Sequence, residues 1–495
     1  MVNIINPIGV FKALIDNRLM RTQLKNLSTY CEKDGSTRLE IALEIFVGLR
    51  DEHEVCWRCR WTSKIVNWLI GLGAKSFGTT RDEVREAMKD VYWRRGLASV
   101  VKGLAMFGVR KPFVPGAPFL VVWDVTYACN LRCKHCYANA GKPLPDELTT
   151  EEAKRVIECF AKAGVVAIAW SGGEPMVRPD IYELSRYAYE RGMYVAMATN
   201  GTLINEHTAD KLWESGVRFL QISLDAATPE KHDEFRGVPG AWERTIEGIK
   251  VAVKKGFFVN VAMTGVKTNK DEIPQVIELC RKLGVRWFML YNFVPTGRGV
   301  FIDEYDLSPT EREEILKMLW RENKKGGLGV LTTAPQYSRI AIMEEAGLTE
   351  QDKFIFPTHF QNAELGGKLK SLADFIGGCG AGRFYFGLWP NGDIRPCVFF
   401  PMKIGNILEV LDNFDEWWAN NKILQDLRDK DKLYEPCGSC PYRYVCGGCR
   451  ARAYGYLGDY MGSDPGCIVC IDVYNKLKNG EIEVKPQLYD PTQKV

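Results

Sequence analysis

The chain predicts an α/β protein: a partial (β/α)6 barrel with a helical N-terminal domain and a loop-rich C-terminal domain. Three observations predict it. Between about Pro118 and Pro295, six apolar strand segments alternate with helical ones. Residues 1–117 carry helical periodicity instead, as in Leu97, Val100, Val101 and Leu104. Residues 371–495 are rich in loops and cysteines.

The strands read, in order, FLVVWDV, VVAIAW, MYVAMAT, VRFLQISL, FVNVAMTG and VRWFML. A strand apolar on both faces belongs to a parallel sheet that helices cover. The helix LTTEEAKRVIECFAKAG opens with a capping box, Thr149 and Glu152. Val156, Ile157, Phe160 and Ala161 are its buried stripe. The next helix, DIYELSRYAYERG, stops at Gly192. Six strands fall short of a closed barrel of eight, and ligands of such sheets sit at the carboxyl ends of the strands. Residues 306–370 read as a helical linker, with SPTEREEILKML its clearest helix. In the last part, FYFGLWPNGDIRPCVFF reads as a hairpin turning at Asn391-Gly392. The expected domains are therefore 1–117, 118–305, 306–370 and 371–495.

The charge is balanced, 65 basic against 62 acidic residues, so nothing argues for a nucleic-acid partner. No signal-peptide pattern opens the chain and no run of eighteen apolar residues occurs, so no membrane-spanning helix is expected. Most of the 16 cysteines fall in two groups, 129–136 and 379–470. Close C-x2-C pairs without a secretion signal read as metal ligands in a reducing, cytoplasmic compartment. Cys56 and Cys59, with Cys31 and His53, are candidates for a further metal site; structural or free thiols are the expectation there. Cys159 and Cys280 lie in helices and read as packing residues. WTSKIVNWLIGLGAKSFG and LASVVKGLAMFGVRKPFVPG suit either a cap packed on the barrel or contact with a membrane surface.

The chemistry gathers at strand ends. CNLRCKHCYANA follows the first strand and spaces Cys129, Cys133 and Cys136 as C-x3-C-x2-C. Three thiolates hold three irons of a 4Fe–4S cluster and leave the fourth open to a small chelating ligand. SGGEP, with Gly172, Gly173 and Glu174, follows the second strand, and ATNGT, with Thr199 and Asn200, ends the third. SLDA brings Ser223, and HDEFRG brings Arg236, whose fork suits a carboxylate. Tyr127, Tyr137 and Tyr291 also fall near strand ends.

These segments resemble the radical SAM superfamily. The resemblance implies that Cys129, Cys133 and Cys136 hold a catalytic cluster and that S-adenosylmethionine chelates its open iron. It implies that Gly172, Gly173 and Glu174 meet the methionine amino group, and Thr199 and Asn200 the ribose. Ser223 and Arg236 would approach the ribose and the methionine carboxylate, with His135 near the adenine. An electron from a low-potential donor such as ferredoxin then yields a 5′-deoxyadenosyl radical, which takes hydrogen from the substrate.

The C-terminal cysteines resemble a SPASM domain. That implies one auxiliary cluster on Cys437, Cys440, Cys446 and Cys467 and another on Cys379, Cys397 and Cys449, three 4Fe–4S clusters in all. The second set is one ligand short: Cys470 completes it, or an iron is open to substrate or water, or the cluster is smaller. Paired zinc knuckles share the C-x2-C spacing.

CGGCRARAYGYLGDYMGSDPGC and FVPTGRG resemble the enzymes of heme d1 and alternative heme synthesis. The first 117 residues lie outside that resemblance. Some archaeal members of the superfamily join or modify isoprenoid chains of membrane lipids. The added domain leads us to expect such a lipid, joined by C–C bond formation in a long apolar tunnel. Oxidative removal of tetrapyrrole propionates is the alternative and predicts basic residues at the barrel mouth. Peptide crosslinking is a third.

Overall fold

A computed structural model describes residues 17–76, 80–344, 353–357, 362–366 and 373–483. The N-terminal part is helical, with helices Arg18–Leu27, Arg38–Val47, Trp57–Ser76, Arg81–Ala87 and Val91–Phe107. One short antiparallel hairpin, β1 (Tyr30–Cys31) and β2 (Ser36–Thr37), interrupts them. Thr37 with Glu40, and Thr80 with Glu83, form capping boxes that start two of these helices. The cores here are small: Leu39, Ala42, Leu43, Val66 and Ala98 form one, and Ile41, Val55 and Cys59 another.

The expected strands form: β3 (Leu120–Thr126), β4 (Ala167–Gly172), β5 (Tyr194–Thr199), β6 (Val217–Ser223), β7 (Phe258–Gly265) and β8 (Trp287–Asn292). Each pairs in parallel with the next. The sheet extends further at both edges. β9 (Gly329–Thr332) adds in parallel to β8, so the segment expected as a helical linker also supplies a strand. β10 (Lys353–Pro357) and β11 (Asn362–Gly366) pair antiparallel with each other. β12 (Tyr385–Leu388) lies parallel to β3, with Tyr385 beside Leu120. β13 (Asp393–Arg395) returns from it through the expected Asn391-Gly392 turn, and β14 (Gly405–Asn406) follows. The order β14-β13-β12-β3-β4-β5-β6-β7-β8-β9 leaves the sheet open.

Strand alternation divides the side chains. Ile168, Trp170, Val195, Leu220, Ile222 and Val259 pack outward under the helices. Ala167, Ala169, Ala196, Ala198 and Ala262 face inward, and their small size leaves a lumen. Thr149–Glu152 is a capping box as expected, and Gly192 turns left-handed past the helix Ile181–Glu190.

The helix Val91–Phe107 closes the amino end of the sheet. Buried Arg95 donates to the carbonyls of Ala161, Val165 and Arg191, and Lys102 to that of Ala163. Tyr92 packs edge-on against Phe119 and Tyr194, at the starts of β3 and β5. Trp57, Trp61, Ile65 and Trp68 lie exposed along one face of the helix Trp57–Ser76. Among the described residues, no helix is long and apolar enough to cross a membrane.

Candidate active site

The loop after β3 is tied down from two sides. Arg132 and Lys134 donate their N–H groups to the carbonyls of Arg236 and Phe235, at the end of the helix Pro229–Arg236. Arg298 bonds the carbonyl of Cys133 through Nε at 2.9 Å and that of Cys136 through its backbone N–H at 2.9 Å. A side chain at Gly297, whose φ is +56°, would strike the carbonyls of Cys136 and Tyr137. This explains the FVPTGRG segment, which clamps the cysteine loop. Cys129, Cys133 and Cys136 all line one cavity.

Gly172 and Gly173 line it as well. A Cβ at Gly173 would collide with the carbonyl of Ala128, so glycine lets the two loops approach. Thr199, Asn200 and Ser223 complete that side. Glu174 lies just behind this wall. Its carboxylate is fully buried and does not line the cavity. It accepts from Thr199 Oγ1 at 2.9 Å, the Asn200 N–H at 2.8 Å and the Met176 N–H at 3.2 Å. Burial raises its pKa, and these donors oppose that rise. Glu174 therefore fastens the end of β4 to that of β5.

Arg236 and His135 do line the cavity, and one residue organises both. Asp225 is fully buried; its Oδ2 lies 2.6 Å from Arg236 Nε and 3.5 Å from His135 Nε2. Its Oδ1 accepts from the Thr264 N–H at 2.8 Å. Burial alone would raise the Asp225 pKa, but Arg236, then His135, hold it below the usual carboxylate range. His135 stacks on Phe235 at 4.1 Å, and burial lowers its pKa to about 4, so the ring is neutral. Its Nδ1 is buried and has no hydrogen-bond partner among the described residues.

The cavity has a volume of about 480 Å³. It runs from the cysteines through the lumen to Tyr92, Trp93 and Phe119 at the amino end. Tyr194 and Thr199, at opposite ends of β5, both line it, and an extended strand spans about 17 Å over that distance. Tyr137 and Tyr291 line it, whereas Tyr127 packs with Trp389. The Tyr137 hydroxyl lies 2.7 Å from Ser171 Oγ and donates to Asp124, which pairs with buried Arg395.

Residues 123–280 match the radical SAM superfamily, and residues 379–441 match SPASM, an iron–sulfur cluster-binding domain. An AdoMet-dependent heme synthase of Methanosarcina barkeri is 39% identical over 354 residues, 71% of this chain and 97% of that protein. The chain belongs to the radical SAM superfamily. A mycofactocin maturase, MftC, of Mycobacterium tuberculosis is 31% identical, covering 71% of this chain and 83% of its own. Streptococcus suis SuiB bound to its precursor peptide SuiA shares the fold at a TM-score of 0.59. It is 16% identical over 86% of this chain and 92% of that one. As a radical SAM enzyme with a SPASM domain, the protein uses S-adenosylmethionine and 4Fe–4S clusters. The site suits them: cysteines stand at the cavity wall, glycine backbones lie close beside them, and the buried Nδ1 of His135 is left without a partner among the described residues.

In the SPASM region the cysteines form two neighbouring sets. Cys379, Cys397 and Cys449 line a small cavity with Tyr385 and Phe399. Cys437, Cys467 and Cys470 pack together elsewhere, with Cys437 Sγ 3.7 Å from Cys470 Sγ. The thiols of Cys440 and Cys446 lie within electrostatic reach of Cys437 and Cys467. Cys470 is thus with the Cys437 set and does not complete the Cys379 set, against one of the expected alternatives. Tyr385 was not legible as a site residue. Its hydroxyl is 3.1 Å from Cys397 Sγ, and its side chain also lines the main cavity.

Proposed function

We propose that Cys129, Cys133 and Cys136 hold the catalytic cluster. Gly172, Gly173, Thr199, Asn200, Ser223, Arg236 and His135 surround S-adenosylmethionine. Bound there, the pair supplies a 5′-deoxyadenosyl radical able to take hydrogen from an unactivated C–H bond. Arg236, oriented by Asp225, meets the methionine carboxylate, and Nδ1 of His135 accepts from the adenine. A low-potential donor such as ferredoxin provides the electron. Cys437, Cys440, Cys446 and Cys467, with Cys470 beside them, hold one auxiliary cluster; Cys379, Cys397 and Cys449 hold the other, with one position not supplied by cysteine.

For the substrate we favour a tetrapyrrole whose propionate is oxidatively decarboxylated. The observation that carries this is the 39% identity spanning nearly all of a heme synthase. Tyr137, Tyr291 and Phe399 offer aromatic walls for a flat macrocycle. Loss of hydrogen and CO2 from a propionate leaves one electron to remove. A cluster held by Cys379, Cys397 and Cys449 would supply the acceptor, and Tyr385, which lines both cavities, lies between it and the substrate space. In Tyr385→Phe we expect 5′-deoxyadenosine to form as before while the vinyl product falls severalfold. An unchanged product ratio, read by liquid chromatography, would remove Tyr385 from the route.

Joining of isoprenoid lipid chains has no support in these relatives. An apolar chain stays as the second reading on one feature: the cavity runs the length of the strands, and both arginines on its wall are engaged. Arg236 pairs with Asp225, and Arg298 with loop carbonyls. The exposed tryptophan face of the helix Trp57–Ser76 suits contact with a membrane holding such a substrate. One anaerobic experiment separates the two readings. The reduced enzyme is given a propionate-bearing iron porphyrin or an isoprenoid ether lipid in vesicles. We expect the porphyrin to raise 5′-deoxyadenosine and lose CO2 by mass spectrometry. A response to the lipid alone reverses the choice.

A further inference from the structure

The N-terminal domain holds a donor cluster that the catalytic reading does not use. Cys31 ends β1, Asp34 lies in the turn after it, and Cys56 and Cys59 frame the start of the helix Trp57–Ser76. The three sulfurs and one Asp34 oxygen all lie within 4.8 Å of one another. Cys31 Sγ is 3.7 Å from Cys56 Sγ and 3.3 Å from Asp34 Oδ2. Among the described residues, no other group of three or more such donors is so tightly gathered. His53, the fourth ligand considered from the sequence, is exposed and faces Glu52 instead. We propose that Cys31, Asp34, Cys56 and Cys59 form a structural zinc site.

The spacing argues for a single ion. Sulfurs bound to one tetrahedral zinc at about 2.3 Å stand about 3.8 Å apart, close to the distance found here. A disulfide between Cys31 and Cys56 would need a much shorter separation and would leave Cys59 over. The Cys56 N–H already bonds Asp34, at 3.1 Å to Oδ1, so capping accounts for the carboxylate. It does not account for three converging thiols. Four protein donors make a closed site, and a closed site is structural.

The need for one is physical. The neighbouring core is only Ile41, Val55 and Cys59 with Ile45 beside them. Small cores require a staple, and metal binding adds directly to folding. The ion would lock the β1–β2 turn onto the N-terminus of a 20-residue helix. That helix end favours the anionic complex, and Arg50, bonded to the Asp34 carbonyl, adds a nearby positive charge.

The test uses the full chain, reconstituted anaerobically with iron and sulfide and then given one equivalent of Zn²⁺. We expect one tightly held zinc per chain. Its X-ray absorption should show three sulfurs at about 2.3 Å and one oxygen at about 2.0 Å. In Cys56→Ser/Cys59→Ser that zinc should be lost while the iron content stays unchanged. Failure of the unsubstituted protein to hold zinc, a shell of four sulfurs, or zinc retained by the variant would each overturn the assignment. The absorption spectrum of the unsubstituted protein decides the matter even if the variant folds poorly.

Discussion

Replacing Cys129, Cys133 and Cys136 together by alanine will abolish cleavage of S-adenosylmethionine and remove about four of about twelve irons per chain. Both effects come from one place. These thiols line the cavity wall, whereas the proposed auxiliary clusters draw on cysteines in residues 379–470. The fold should survive. The loop is held by backbone bonds to Arg236 and Phe235 and by the clamp from Arg298, none of which needs a cysteine side chain. Small thiols replaced by methyl groups leave little void, so each costs on the order of 1 kcal/mol. Iron and sulfide counting, with chromatography of 5′-deoxyadenosine under dithionite, reads the outcome. Residual cleavage, or iron unchanged from the parent protein, would mean that another set of ligands holds the catalytic cluster.

The barrel was legible because its strands are long and apolar on both faces. β9 and β12 were not seen as parallel barrel strands. GVLT and YFGL are too short for a periodic signal, and β12 joins β3 from 265 positions away, as Tyr385 against Leu120 shows. The cysteine loop was readable from spacing alone. The direction of the Glu174 carboxylate was not, since a position at a strand end fixes the backbone but not the side chain. It turns toward the end of β5 because the Asn200 N–H and the Thr199 hydroxyl offer it donors there. Asp225 stood in plain view beside Ser223. Its role appears only when the helix Pro229–Arg236 folds back and brings Arg236 onto it. Asp34 replaced His53 for a similar reason: the β1–β2 hairpin swings the carboxylate toward Cys56, which linear spacing does not reveal.

Asp225→Asn should be the most damaging single change outside the cysteines. Asparagine keeps the shape and can still accept from the Thr264 N–H. Its amide, however, turns a donor toward Arg236 Nε, where the carboxylate gave a countercharge 2.6 Å away. Arg236 is nearly buried, so it becomes an uncompensated charge. Breaking a buried pair from one side costs about 3–5 kcal/mol. His135 loses its carboxylate partner at 3.5 Å in the same step. We therefore expect lower stability to denaturant together with at least a tenfold weaker affinity for S-adenosylmethionine, a loss of about 1.4 kcal/mol or more. A second variant separates the two effects. Asp225→Asn/Arg236→Gln removes both charges, so the stability lost by the single change should largely return. Affinity for S-adenosylmethionine should not return, because the fork that meets its carboxylate is gone. If both recover together, the pair supports only the fold, and the methionine carboxylate must be held by other groups.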